Sequence, residues 1–288
     1  MSGPGGAGPT LVILAAGRAK RYGGCKPLAP VGPHGEAVID LVASDVLAGG
    51  FGTIVLVLSP DTGPAIRYHV EHVWPDTIDV RYARQPEPRG TVDAVLSAAE
   101  FVGDAPYGVC NADDVYGVAG CTLLAEHLRG RGDANALVGY RLADAVIGFS
   151  PVTRGICRVD GSGRLLGVDE RRQVRALHEG GFVADDGLQP ASLPGDTRVS
   201  MNLWGFTPEF HKVLQAALDS AVDASEEKEV LLPEVVAQSL GTATFSVLPA
   251  EGHCVGVTHP DDLAIVQAEL NRQIAAGERP ARLWPSLH

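Results

Sequence analysis

The sequence predicts an α/β fold in which helices cover a largely parallel sheet on both faces. In the first half of the chain, short apolar segments of β-type composition alternate with segments of helical periodicity. This alternation is typical of βαβ units. The predicted strands cover residues 11–16, 53–58, 78–82, 107–110 and 136–140, and the predicted helices cover residues 37–47, 64–73, 92–102 and 121–128.

The second half predicts a different local architecture. Residues 155–160 and 164–169 flank a Gly-Ser-Gly turn and predict a β-hairpin. Further along, the pattern predicts a loop at 185–195, a strand at 198–206, a helix from Pro208, a helix at 229–240, strands at 244–248 and 254–258, and a closing helix at 261–275. Because no repeat or linker divides the chain, we expect a single domain over residues 10–288, preceded by a flexible tail at residues 1–9.

Composition excludes several classes of protein. The chain has 288 residues, a formal net charge of −12 and no basic stripe, so nucleic acid is not an expected partner. The longest apolar run near the N-terminus has six residues, which predicts no membrane association. Its five scattered cysteines form no Cys-x-x-Cys pair, which favours reduced thiols and a cytoplasmic location.

The first predicted strand ends in a glycine-rich loop with a local excess of positive charge. Four of the 23 lysines and arginines fall within nine positions there: Arg18, Lys20, Arg21 and Lys26. Convergent cations and exposed backbone N–H groups favour the binding of a phosphate group. The spacing matches neither the P-loop nor the dinucleotide-binding glycine pattern.

This loop resembles the opening motif of the sugar-1-phosphate nucleotidyltransferases, the NDP-sugar pyrophosphorylases. The resemblance implies a Rossmann-like three-layer α/β/α fold of the nucleotide-diphospho-sugar transferase type, with a mixed, mostly parallel central sheet. It implies an NTP-binding half at residues 10–145 and an acceptor-binding half at 146–288. It also implies that the nucleotide contacts Ala15, Ala16, Gly17 and Arg18, and that Arg21 and Lys26 are catalytic.

A second motif follows the strand at 107–110. There Asn111 and Ala112 lead into Asp113 and Asp114, at the carboxyl end of the strand. Carboxylate oxygens suit Mg²⁺, which would offset the charge of a triphosphate. The segment resembles the family's Gly-Asp-Asn/Asp motif, which implies that Asp113 binds the metal and that Asp114 flanks it.

Three further segments of the sequence resemble family motifs that contact the base and the acceptor. Gln85, followed by Gly90 and Thr91, matches a segment in which the glutamine contacts the base and the turn lies near the nucleoside. Gln85 can both donate and accept hydrogen bonds. The resemblance places Glu170 on the sugar hydroxyls and Arg171, in a lysine position, on the sugar phosphate. Asn202 is a further candidate for a sugar hydroxyl.

One departure from the family pattern leaves alternatives open. The usual second metal-binding aspartate falls here on Val255 or Gly256. Either the metal has one protein carboxylate, or another acid substitutes, or catalysis is lost. The resemblance as a whole implies an NTP and a sugar 1-phosphate as the substrates. The alternatives are a non-sugar alcohol or cyclitol phosphate as acceptor, or a nucleotide-sensing homologue without turnover. The sequence does not fix the base, and it is compatible with a homo-oligomer.

Overall fold

The computed structural model describes residues 8–17, 25–130, 134–223, 229–256 and 263–284. Their strands are β1 (Thr10–Leu14), β2 (Thr53–Leu58), β3 (Asp79–Arg84), β4 (Tyr107–Asn111), β5 (Asp114–Val115), β6 (Asn135–Arg141), β7 (Val152–Val159), β8 (Leu165–Ala176), β9 (Phe182–Ala184), β10 (Ser192–Leu193), β11 (Arg198–Phe206), β12 (Phe245–Pro249) and β13 (Val255–Gly256). Their helices are α1 (Val38–Ala48), α2 (Gly63–Val73), α3 (Thr91–Leu96), α4 (Ala99–Val102), α5 (Gly117–Gly130), α6 (Leu142–Ala145), α7 (Pro208–Asp223), α8 (Leu232–Ser239) and α9 (Leu263–Ala275).

The central sheet is mixed and mostly parallel, as the sequence predicts. Strands β3, β2, β1 and β4 pair in parallel in that order. Beyond β4 follow β11, β6 and β12, and among the described strands of this layer only β11 runs in the opposite direction. Since β11 comes from the second half of the chain and lies between β4 and β6, both halves contribute to one sheet.

Hydrophobic cores on both faces of this sheet give the three layers. Along β1, Leu11 and Ile13 point to one core, which α1 and α5 cover through residues such as Leu124. Val12 points to the opposite core, which α3, α7 and α8 cover through residues such as Leu214. Alternate side chains of a buried strand point to opposite faces, and both faces are apolar when helices cover both. The predicted fold class is therefore confirmed.

A second, antiparallel group of strands branches from β11. The first half of β11 pairs with β7, its second half pairs with β4, and the register along β6 shifts between Ser200 and Trp204. Strands β7, β8, β9 and β10 continue outward from there. The predicted hairpin is confirmed, because β7 and β8 pair antiparallel around the Gly-Ser-Gly turn. The separate pair of β5 with β13 joins the acidic motif, which contains Asp113 and Asp114, to the C-terminal part of the chain.

Some elements differ from the sequence prediction. The helix predicted at 92–102 divides into α3 and α4, and at the break the Ser97 hydroxyl donates to the Asp93 carbonyl oxygen. The predicted loop at 185–195 contains the short strand β10, which pairs with β9. Most of the predicted tail, residues 1–7, lies outside the described residues. Of the described helices, none combines the length and apolar character that a membrane span requires.

Candidate active site

The candidate site lies where the parallel strands of the central sheet end. After β1, the Ala15 N–H donates to the Val57 carbonyl oxygen, and the Ala112 N–H donates to the carbonyl oxygen of Leu14. Ala15 and Ala16 are buried, whereas Gly17 is exposed, and among the described residues none would contact a Cβ atom added to it. Ligands of open α/β sheets bind at this carboxyl edge. The predicted residues Arg18 and Arg21 lie outside the described residues.

The structure brings together two of the predicted catalytic residues, Lys26 and Asp113. The ammonium nitrogen of Lys26 donates to Asp113 Oδ2 at 2.6 Å, although the residues are 87 positions apart. The Lys26 side chain is 18% exposed and that of Asp113 is 34% exposed, so the pair lies at the mouth of the site rather than in the core. Lys26 begins a short 3-10 turn, Lys26–Leu28, and this turn carries the ammonium to the acidic motif.

Asp114 is the second carboxylate of the acidic motif. Its Oδ2 accepts a hydrogen bond from Asn111 Nδ2 at 3.1 Å. Burial, followed by the negative charge of Asp113, raises the pKa of Asp114 to about 6, while the charge of Arg154 opposes this rise. Two carboxylates in one loop are a common device for setting different protonation states. The motif therefore presents the Asp113 carboxylate, which is paired with Lys26, and the Asp114 carboxyl group, whose ionised form is disfavoured by burial.

Arg154, on β7, is a site residue that the sequence analysis did not find. Its guanidinium donates to the Ala145 carbonyl oxygen through both Nε and Nη2. Burial lowers the pKa of Arg154, and attraction to Asp114 opposes this change. No motif marks Arg154 in the sequence, since it reaches Asp114 only through the branching of β7 from the central sheet.

Gly256 explains the departure at the second metal position. Strand β13 pairs Gly256 with Asp114. A Cβ atom at residue 256 would lie 2.6 Å from Asp114 Oδ1, a distance at which something must shift. The space where a side chain of residue 256 would begin is thus taken by the Asp114 carboxylate. An aspartate could enter at 256 only if Asp114 moved.

The donor set fits Mg²⁺ with few protein ligands. Asp113 and Asp114 offer hard carboxylate oxygens, and Mg²⁺ is commonly held by one or two carboxylates together with substrate phosphates and water. Within the described ranges, no three His, Cys, Asp or Glu side chains come together as a metal cluster. Among the described residues, Asp113 and Asp114 would thus share the coordination of a metal here with substrate oxygens.

The structure changes the interpretation of Gln85. The side chain is buried, and its Nε2 donates both to the Gly90 carbonyl oxygen at 3.0 Å and to Asp93 Oδ2 at 2.9 Å. Both amide hydrogens are therefore used inside the protein. Gln85 was expected to donate and to accept, but here only its carbonyl oxygen remains for a ligand.

The turn after Gln85 is held by the second half of the chain. Gly90 has a φ of 102°, and a Cβ atom there would lie 2.3 Å from the Val230 carbonyl oxygen. Both the conformation and the close approach require glycine. The Thr91 hydroxyl accepts a hydrogen bond from the Leu232 N–H at 2.7 Å. The predicted nucleotide-side residues Gly90 and Thr91 thus form the docking point of the segment that leads into α8.

On the acceptor side, Arg171 forms its hydrogen bonds within the protein. Its guanidinium is buried, forms a bidentate pair with Asp186 at 2.7 and 2.9 Å, and donates to the carbonyl oxygens of Leu188 and Pro190. These donors are not available to a sugar phosphate. The hydrogen bonds of Arg171 instead hold the loop between β9 and β10.

The other two acceptor-side candidates lie on different strands. Glu170 is exposed on β8 and accepts a hydrogen bond from Arg172. Asn202 lies at the register shift of β11 with a φ of 60°, and its Oδ1 accepts from Trp204 Nε1 at 3.3 Å. A left-handed asparagine inside a strand is uncommon, and such conformations cluster at functional sites. Both assignments stay predictions.

Comparison with known proteins points in the same direction as the sequence motifs. Residues 11–146, a little under half of the chain, match the family model of the MobA-like NTP transferase domain. The match covers the strands β1 to β4, the acidic motif and the Gln85 segment. The resemblance found in the opening motif is therefore confirmed.

Curated relatives and solved structures extend the similarity beyond this domain. The chain is 23% identical to glucose-1-phosphate thymidylyltransferase of Mycolicibacterium smegmatis over 175 residues, which are 58% of this chain and 57% of that protein. It is 25% identical to the bifunctional protein GlmU of Sorangium cellulosum over 272 residues, 92% of this chain and 52% of that protein. Each match thus spans a little over half of the relative's length.

A solved structure matches over nearly the full length. UDP-glucose pyrophosphorylase from Acinetobacter baumanii has a TM-score of 0.64 with 14% sequence identity, and the match covers 97% of this chain and 95% of that one. At this identity the match establishes the fold, which is the mixed sheet described above.

Proposed function

We propose that the chain transfers a nucleotidyl group from an NTP to a sugar 1-phosphate, forming an NDP-sugar and releasing pyrophosphate. The contact between Lys26 and Asp113 is the observation that carries this proposal. It joins Lys26, which follows the glycine-rich loop after β1, to Asp113 in the acidic motif at the carboxyl edge of the sheet. Nucleotidyl transfer needs a cation and a carboxylate together at this edge. The names of the relatives, a thymidylyltransferase and a pyrophosphorylase among them, support the same reaction class.

The reaction needs positioning and charge stabilisation more than proton transfer. An oxygen of the acceptor phosphate attacks the α-phosphorus, the bond from that phosphorus to the bridging oxygen of the β-phosphate breaks, and pyrophosphate leaves. A phosphate monoester is already ionised near neutral pH, so no general base is required. Lys26 supplies a cation for the charge that develops in transfer.

We assign the metal position to the acidic motif. Asp113 and Asp114 would hold Mg²⁺, which offsets the charge of the triphosphate when it is bound. Because Lys26 already contacts Asp113, the same carboxylate links the lysine to the metal position. Arg154 balances part of the negative charge on Asp114.

Two alternatives to this function are a sensor without turnover and an enzyme with an alcohol or cyclitol phosphate as acceptor. A sensor without turnover was motivated by the missing second aspartate, but Asp114 occupies the space next to Gly256. Acceptance of an alcohol or cyclitol phosphate in place of a sugar 1-phosphate concerns the acceptor pocket. With Arg171 committed to Asp186, Glu170 and Asn202 are the residues we propose for the acceptor hydroxyls.

A pyrophosphate-release assay tests the proposal. The purified chain is incubated with Mg²⁺, each of the common NTPs in turn, and a panel of sugar 1-phosphates and alcohol phosphates. We expect release with at least one NTP and a sugar 1-phosphate, and none with the Asp113→Asn variant. Release only with an alcohol phosphate would move the chain to the alternative acceptor class. Nucleotide binding without release from any pair would support the sensor.

A further inference from the structure

We propose that Asp93 is a positioning residue that fixes Gln85 as a hydrogen-bond acceptor toward the nucleotide base. The inference rests on the proposed function, since it assumes that an NTP binds at this edge. Its consequence is that the base read by Gln85 must present an N–H group to that side chain.

The geometry around Gln85 leaves its amide one orientation. Nε2 donates to Asp93 Oδ2 at 2.9 Å and to the Gly90 carbonyl oxygen at 3.0 Å. A carboxylate and a carbonyl oxygen are both acceptors only, so they can be satisfied only by the two amide hydrogens. Rotation of the amide by 180° would place the Gln85 oxygen against two other oxygens. The orientation therefore follows from the chemistry of the neighbours.

Asp93 is held in turn by Arg89. Arg89 Nη2 donates to Asp93 Oδ1 at 2.7 Å, so each carboxylate oxygen of Asp93 has its own donor. The Asp93 side chain is buried at 6% exposure, while that of Arg89 is 45% exposed. Asp93 thus lies between a solvent-facing cation and the buried amide, and its position fixes both.

What Gln85 can offer a ligand is limited by these contacts. Within the part of the chain that the structure describes, its Oε1 makes no hydrogen bond, and its backbone N–H donates to the Leu58 carbonyl oxygen at the end of β2. A site built around an acceptor discriminates strongly against a ligand that lacks the matching donor, because the acceptor then stays unpaired. We infer that Asp93 contributes to base selection without contacting the base.

An isosteric substitution tests this inference. In Asp93→Asn, Arg89 keeps the oxygen of the new amide, and the new NH₂ group faces Gln85 Nε2. Two donors then oppose each other and the lock on Gln85 is lost. In the double variant Arg89→Met/Asp93→Asn, the asparagine is free to turn its oxygen toward Gln85, and the lock is restored.

The measurement is the dissociation constant of each common NTP, by titration calorimetry without acceptor, for the wild type and both variants. We expect the preferred NTP to bind about tenfold more weakly to Asp93→Asn and the ratio between the best and second-best NTP to fall by a similar factor. The double variant should recover most of that ratio. Thermal unfolding checks that all three proteins are folded.

The outcomes separate this inference from the proposed function. A folded Asp93→Asn protein that keeps the wild-type ratio within twofold overturns the inference, as does a wild type that binds all bases equally. A double variant no more selective than Asp93→Asn also overturns it, since a general packing defect would not be rescued. Because binding is measured without turnover, loss of selectivity with no pyrophosphate release in the wild type would support the inference and refute the proposed transfer reaction.

Discussion

The ion pair between Asp45 and Arg279 makes a sharp prediction about stability. Asp45 lies on α1 and Arg279 follows α9, and the two side chains are 1% and 2% exposed. Arg279 Nη2 donates to Asp45 Oδ2 at 2.7 Å, and the same oxygen accepts the Gly117 N–H. Among the residues that the structure describes, Asp45 Oδ1 and Arg279 Nη1 find no hydrogen-bond partner. The pair is therefore deeply buried and incompletely satisfied.

Arg279→Met removes the cation but keeps most of the side-chain volume. Breaking a buried pair by removing one partner costs about 3–5 kcal/mol, because an uncompensated charge stays inside. Burial already raises the pKa of Asp45 even with Arg279 present, so the carboxyl of the variant should take up a proton in the folded state. A raised folded pKa means that stability is lost as pH rises above the ordinary value of Asp. The cost should therefore be largest at pH 8 and smaller near pH 5.

Urea unfolding of the wild type, Arg279→Met and Asp45→Asn/Arg279→Met at several pH values measures these costs. We expect the double variant to recover a large share of the loss at pH 8, since it buries no charge. The reasoning is refuted if Arg279→Met costs less than about 1 kcal/mol at pH 8. It is also refuted if the cost does not change with pH.

Three further predictions concern the site. Lys26→Ala should lower kcat by roughly a hundredfold, an effect of about 3 kcal/mol, and should weaken NTP binding less, because a cation at this position acts mainly on charge that develops in transfer. Rapid-quench kinetics with NTP titration measures both effects. An unchanged kcat would remove Lys26 from the mechanism. In metal-free protein, Asp114→Asn should raise the free energy of unfolding by about 1–3 kcal/mol above pH 6 and hardly at all near pH 4, because the pKa of Asp114 is raised to about 6; a gain independent of pH would contradict that assignment. Arg171→Ala should lower Tm by several degrees, since Asp186 loses its partner, and a variant with native Tm and a raised KM for the acceptor would restore the predicted phosphate-binding role.

Periodicity and strand composition were sufficient for the central sheet. Apolar runs such as the one from Leu11 to Ala16 are buried on both faces, which is typical of the parallel strands of a sheet that helices cover on both sides. The resemblance implies a mixed sheet, but no signal in the sequence marks β11 as the reversed strand. The branching at β11 also had none, because it depends on a register shift between Ser200 and Trp204.

The hydrogen-bond partners of the candidate site residues could not be predicted from the sequence. The sequence shows that Arg171 follows Glu170, but not that residues 186–190 fold back and surround its guanidinium with acceptors. Gln85 likewise has the right chemistry for a base, while its loss of donor capacity depends on Asp93 one helical turn into α3. Motifs identify residue types. The distance to the next acceptor determines what each of them can still do.

The acidic motif is fixed at both of its ends by contacts from distant parts of the chain. At its start, Lys26 from the phosphate loop pairs with Asp113. At its end, the Gly117 N–H donates to Asp45, the residue that Arg279 pairs with from the C-terminal segment. Between these two points lies Asp114, whose charge is disfavoured by burial. The buried pair at Asp45 therefore anchors the end of the motif at Gly117, while Lys26 anchors its start at Asp113.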